Sequence, residues 1–138
     1  MRPEAIEPDL ALAERLFDRL REASLDPPGV TRDAYGAGEE GAHAICIEAA
    51  RGSGLEITRD FAGNTYATLP GADRSARTLL IGSHLDSQPN AGAYDGTLGV
   101  VAGLAVLRAL AEQEVTHARP VEVVSWTNEE GARFAPGA

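Results

Sequence analysis

Leu10, Leu12, Ala13, Leu16, Phe17 and Leu20 recur at spacings that put one apolar stripe on a helix, with Pro8 and Asp9 just before them. That predicted helix ends near Asp26-Pro27-Pro28-Gly29, where proline and glycine cannot continue it. After a polar loop, Ala42, Ile45, Ala49 and Ala50 keep helical spacing within residues 39–51, and Gly52 with Gly54 supplies a stop. From Leu55 to Phe61 apolar and polar residues alternate as in a half-buried strand, and Gly63-Asn64 turns into a second short strand from Thr65 to Leu69. Two apolar runs, Thr78 to Gly82 and Val121 to Trp126 (broken only by Glu122), read as strands covered on both faces. Leu98 to Leu110 between them reads as a buried crossover helix. Strand, helix, strand in that order imply a right-handed parallel βαβ unit, and the whole an α/β fold with a mostly parallel central sheet flanked by helices.

At 138 residues the chain is one domain at most, and 43% apolar with 24% charged residues fits neither a disordered chain nor a membrane protein. The net charge is −9, and all 12 basic residues are arginines scattered from Arg2 to Arg133. Without a cationic stripe, nucleic acid and anionic lipid are excluded as expected partners. Cys46 is the single cysteine, so no intramolecular disulfide can form, and between Ile45 and Ile47 it reads as a core residue. Glu4, Glu7, Asp9, Glu14, Asp18 and Glu22 rule out a signal or transit peptide reading, and the expected address is cytoplasmic. The chain stops at Phe134 to Ala138 with no helix to cover its last strand. The expectation is an N-terminal piece of something longer, residues 1–138 forming part of one domain whose sheet is incomplete.

In a parallel βαβ unit both strands end, and the helix begins, at the same sheet edge. Ser83-His84-Leu85-Asp86, Tyr94-Asp95-Gly96 and Asn128-Glu129-Glu130-Gly131 therefore converge. Carboxylates crowded round one imidazole repel one another by about a few kcal/mol per close pair unless a cation intervenes. Histidine among the donors favours Zn²⁺, Mn²⁺ or Co²⁺, and a carboxylate such as Asp95 can bridge two ions. If the chain is still extended at Glu129 and Glu130, their side chains point to opposite sides, so that one can bind metal while the other takes a proton from water. Taken singly, each signal has a duller meaning: a surface acidic pair, an Asp-Gly turn, an isolated histidine. Their joint placement favours metal-assisted hydrolysis of an amide-like bond. His43 and His117 fall outside the crevice and read as packing or surface residues, and Trp126 as core.

The stretches Gly82 to Pro89, Gly92 to Val100 and Trp126 to Phe134, together with Asp60 and Ala62-Gly63-Asn64, resemble the N-carbamoyl-L-amino-acid hydrolases and β-ureidopropionases. These are relatives of allantoate amidohydrolase in the dinuclear aminoacylase and carboxypeptidase superfamily. The resemblance implies the N-terminal part of a zinc-peptidase-like catalytic domain. It makes His84 a ligand of one of two divalent metal ions, Asp95 the bridging ligand and Glu130 a ligand of the second. Glu129 becomes the general base, and Asp86 orients the His84 ring. A cis peptide is implied after Asp95. The implied substrate is an N-carbamoyl amino acid, with allantoate, an N-acyl amino acid or a peptide as alternatives. Gln88 and Trp126-Thr127-Asn128 lean toward the carbamoylase branch, whereas Ala91 and Ala93 depart from the common pattern. Family members carry further histidine ligands and a lid and dimerisation domain downstream. A homodimer is thus implied for the full-length protein, and the 138-residue chain alone is expected to be incomplete and inactive.

Overall fold

The computed structural model describes residues 6–135; Glu4 and the Pro136 to Ala138 end, which entered the sequence reading, lie outside them. Helix α1 (Leu10–Ala23) is capped by Asp9, whose side chain accepts from Leu12 N at 2.8 Å. It buries Leu12, Leu16 and Leu20 against α2 (Ala37–Gly52) and α3 (Thr97–Glu112). The proline pair after α1 forms more than a stop. It is the tip of a two-residue hairpin, β1 (Leu25–Asp26) with β2 (Gly29–Val30).

Four strands, β3 (Glu56–Arg59), β4 (Thr65–Leu69), β5 (Leu79–His84) and β6 (Val121–Trp126), form one sheet in the order β3-β4-β6-β5. β5 and β6 are parallel neighbours joined through α3, as the apolar runs imply. The α/β reading stands, but among the described strands the sheet is mixed and not mostly parallel. β3 pairs antiparallel with β4, because a short turn at 60–64 leaves no room for a crossover, and β4 also pairs antiparallel with β6. α2 and α3 lie on the sheet face that carries Ala67, Val121 and Val123, and with α1 they enclose the core. Burying these side chains at about 25 cal/mol per Å² supplies the main driving force. Gly103 lets α3 sit close on β6: a Cβ there would lie 2.7 Å from Val123 Cγ2.

Two burial expectations fail. β5 is a sheet edge among the described strands, with Leu79 51% and Leu80 43% exposed, so it is not covered on both faces. Trp126, at the end of β6, is 38% exposed and meets Tyr66 edge-on at 6.2 Å, outside the core. Cys46 is buried as expected, and burial pushes its thiol up to about 12. His43 is a buried packing residue bonded to Thr65.

Candidate metal centre

His84 closes β5 and is almost buried. Its Nδ1 donates to the Asp86 carbonyl at 3.0 Å and lies 3.4 Å from Asp86 Oδ1. A carbonyl can only accept, so that contact places the proton on Nδ1 and leaves Nε2 as the free donor atom. Nε2 lies 3.9 Å from Asp95 Oδ1 and 3.5 Å from Glu129 Oε2. Hydrogen bonding to the Asp86 side chain, helped by the charge of Glu129, pushes His84 up to about 9 despite its burial.

Asp95 precedes α3 and is held from two sides. Tyr94 packs edge-on against Phe17 of α1 at 5.1 Å, and Thr97 Oγ1 donates to Ala93 O at 2.7 Å. Gly96 has φ +68°, and a Cβ there would stand 2.5 Å from His84 Cε1 and Nδ1. Glycine is what allows the Asp95 turn to lie against the imidazole. The Asp95–Gly96 peptide is trans, contrary to expectation: among the described residues the cis bond is Pro27–Pro28. The left-handed backbone at Gly96 makes the turn without one.

After β6 the chain is not extended. Asn128 has φ +57°, and the next two amides, of Glu129 and Glu130, donate to Asp86 Oδ1 and Oδ2, each at 3.1 Å. Because of this turn Glu129 and Glu130 do not diverge as expected; both reach the His84 side. Glu130 joins His84 and Asp95 in a trio whose ligand atoms all lie within 4.8 Å of one another, and Gln88 Nε2 donates to Glu130 Oε2 at 3.0 Å. Burial opposes the charge on Asp86, but bonds from His84 and from the Glu130 and Glu129 amides outweigh it and hold this carboxyl below its ordinary value.

All five residues singled out from the sequence, His84, Asp86, Asp95, Glu129 and Glu130, are thus brought to one place. One imidazole nitrogen and several carboxylate oxygens facing a common point form a donor set suited to a divalent cation such as Zn²⁺, Mn²⁺ or Co²⁺. Sequence reasoning gave Asp86 only the task of orienting His84 and missed its grip on the acidic turn. It also missed Arg32, which is fully buried; its Nε donates to Leu85 O between His84 and Asp86. The Arg32 backbone is further stitched to Ser87 by two bonds of 2.9 Å. A Thr-Arg-Asp stretch in a polar loop carries no sign of such burial.

The model for Peptidase family M28 matches residues 64–135, the span that holds all five residues. An N-carbamoyl-L-amino-acid amidohydrolase of Rhizobium meliloti is 42% identical over 132 residues, covering 90% of this chain and 31% of that protein. Allantoate deiminase 2 of Glycine max is 40% identical over 84 residues, covering 59% of this chain and 17% of that protein. The crystal structure of a hydantoinase/carbamoylase family amidase from Burkholderia ambifaria superposes with a TM-score of 0.91 at 41% identity, over 95% of this chain and 32% of that one. The chain therefore spans about a third of the length of such relatives. With a matched span that starts at the β3–β4 turn and runs through β5, α3, β6 and the acidic turn, the chain belongs to peptidase family M28.

Proposed function

We propose that this chain contributes the first part of a dinuclear metal centre that hydrolyses the carbamoyl C–N bond of an N-carbamoyl amino acid. The observation that carries the reading is the convergence of His84, Asp95 and Glu130 within 4.8 Å of one another, with Glu129 Oε2 3.5 Å from His84 Nε2. His84, Asp95 and Glu130 would hold the ions, Asp95 from between them, the remaining ligands coming from elsewhere in the full-length protein. Two bound ions of Zn²⁺, Mn²⁺ or Co²⁺ would polarise the ureido carbonyl and lower the pKa of the attacking water. Glu129 takes a proton from that water as its oxygen bonds to the ureido carbon, then hands the proton to the departing nitrogen as the C–N bond breaks. The amino acid leaves, and the carbamate that remains falls to ammonia and carbon dioxide. Asp86 keeps the His84 ring in one tautomer while holding the turn that presents Glu129. The proposal includes a cytoplasmic address and a homodimer for the full-length protein.

The names of the relatives favour the N-carbamoyl substrate, and the likeness to an allantoate deiminase keeps allantoate as the second reading. Glu129→Gln in the full-length protein is expected to bind metal as before and to lose turnover by about 10²- to 10⁴-fold. Unchanged turnover removes the role given to Glu129. Rates on an N-carbamoyl amino acid, allantoate, an N-acyl amino acid and a dipeptide settle the substrate. Faster cleavage of any of the last three displaces the first choice, and no cleavage of any by the full-length enzyme leaves a non-catalytic role.

A further inference from the structure

Glu39 is a charged side chain with zero exposure, sitting in the first turn of α2. Helix-capping glutamates ordinarily lie at the surface, and Glu39 does half of that job: Oε2 accepts from Tyr35 N at 2.6 Å, ahead of a glycine cap that offers no side chain of its own. Its other oxygen crosses to another part of the chain. Oε1 accepts from Asn128 N at 3.1 Å. The amides of Asn128, Glu129 and Glu130 are consecutive, and all three end on buried carboxylates: the first on Glu39, the next two on Asp86. Asp86 belongs to the loop after β5 and Glu39 to α2, so the acidic turn is gripped between two independent elements.

We propose that Glu39 is a positioning residue that fixes the entry of the Asn128–Glu130 turn and thereby aims Glu129 and Glu130. The inference rests on the reading of those two residues as base and ligand. Its physical basis is geometric. Asn128 holds φ +57°, a left-handed state that asparagine tolerates better than most side chains but that still lies above the extended and helical wells, so the bonds around it decide whether the turn is kept. On one side the preceding Thr127 is tied down, its N–H donating to Asn64 Oδ1 at 2.9 Å and its hydroxyl to Gly63 O at 2.9 Å. On the other side Asp86 holds Glu129 and Glu130. Without the Glu39 oxygen the Asn128 amide loses its acceptor and the chain can relax from φ > 0, which swings Glu129 Oε2 off His84 Nε2. The buried charge is itself matched by two N–H donors, and His43 Nε2 lies 3.9 Å from Oε1. Nothing in the first turn of a glutamate-rich helix distinguishes this glutamate from its exposed neighbour Glu40, which pairs with Arg59 at the surface.

The test uses Glu39→Gln in the full-length protein, an isosteric change that sets an amide NH₂ against one of the two backbone amides. The expected result is a fall in kcat of about 10- to 100-fold, the scale of a misplacement near 1 Å, with KM within about twofold of wild type. If Glu39 acts mainly through Glu129, adding Glu39→Gln to Glu129→Gln costs clearly less than Glu39→Gln costs the wild type, the remainder coming from Glu130, whereas a general loss of stability would add its full cost in both backgrounds. Amide hydrogen exchange gives a reading free of both folding yield and turnover. In the wild type the Asn128 amide is expected to be protected together with those of Glu129 and Glu130, and in Glu39→Gln all three exchange faster. Fast exchange at Asn128 in the wild type, or wild-type kcat in the folded variant, overturns the proposal. Turnover retained by Glu129→Gln would instead overturn the proposed function, and the exchange data would still decide whether Glu39 holds the turn.

Discussion

His84, Asp95, Glu129 and Glu130 were legible as single residues because their chemistry and their position after a strand or before a helix are both sequence properties. Glu39 and Arg32 were not, because what sets them apart is zero exposure, and burial of a charge follows from long-range packing: Arg32 reaches Leu85 and Glu39 reaches Asn128. Gly96 stands between the two cases. It reads as a turn residue, but the reason it must be glycine is the imidazole ring 2.5 Å from where its Cβ would be. Gly96→Ala is therefore expected to do more than strain a backbone at φ +68°; the added methyl displaces His84 from Asp95 and Glu130. Calorimetric titration with Mn²⁺ or Zn²⁺ should show affinity weakened by at least about 10-fold, an effect of the size that misplaced support for a ligand produces. Affinity equal to wild type in a folded Gly96→Ala protein would mean that His84 does not depend on this close approach.

Among the elements, β4 and β6 emerge where the pattern puts them, and the helices differ from expectation only at their ends. What the pattern could not convey was pairing direction and exposure. A continuous apolar run such as Leu79 to Gly82 reads the same in a central strand and at an edge. The β3–β4 turn shows how an element that carries no ligand supports the site. Asp60 accepts from Ala62 N, Asn64 N, Asn64 Nδ2 and Tyr66 Oη at 2.8 to 3.1 Å, and Asn64 in turn holds Thr127. The Asn64 side-chain bond foremost keeps Asp60 below its ordinary value of 3.8. A carboxyl whose folded pKa is depressed stabilises the fold fully above its unfolded pKa, and that contribution is lost as pH falls through the folded one. Asp60→Asn should accordingly lower the denaturation midpoint at pH 7, and the gap from wild type should close as pH is lowered from about 4. A gap that stays constant down to pH 2 in urea titrations would show that Asp60 acts through shape and not charge.

For the molecule as a whole, the acidic balance of −9 and the convergence of three chain segments have one shared consequence. His84 ends β5, Asp95 lies just before α3 and Glu130 follows β6, so a cation held by all three would fasten together the strand, helix and strand on which the sheet's parallel half depends. Without it these carboxylates repel one another within a chain already carrying excess negative charge. Ligand that binds the folded chain and not the unfolded one stabilises it by mass action, about 2.7 kcal/mol at a hundred times its Kd. Addition of Mn²⁺ or Zn²⁺ is expected to raise Tm by several degrees, EDTA to reverse the rise, and His84→Ala to abolish it. Sodium chloride at matched ionic strength should give a smaller rise that His84→Ala retains, because screening acts on exposed charge everywhere and not on one set of ligands. Equal rises with divalent cation in wild type and His84→Ala would place the stabilisation on the general negative surface, and the trio of His84, Asp95 and Glu130 would then have no special hold on the ion.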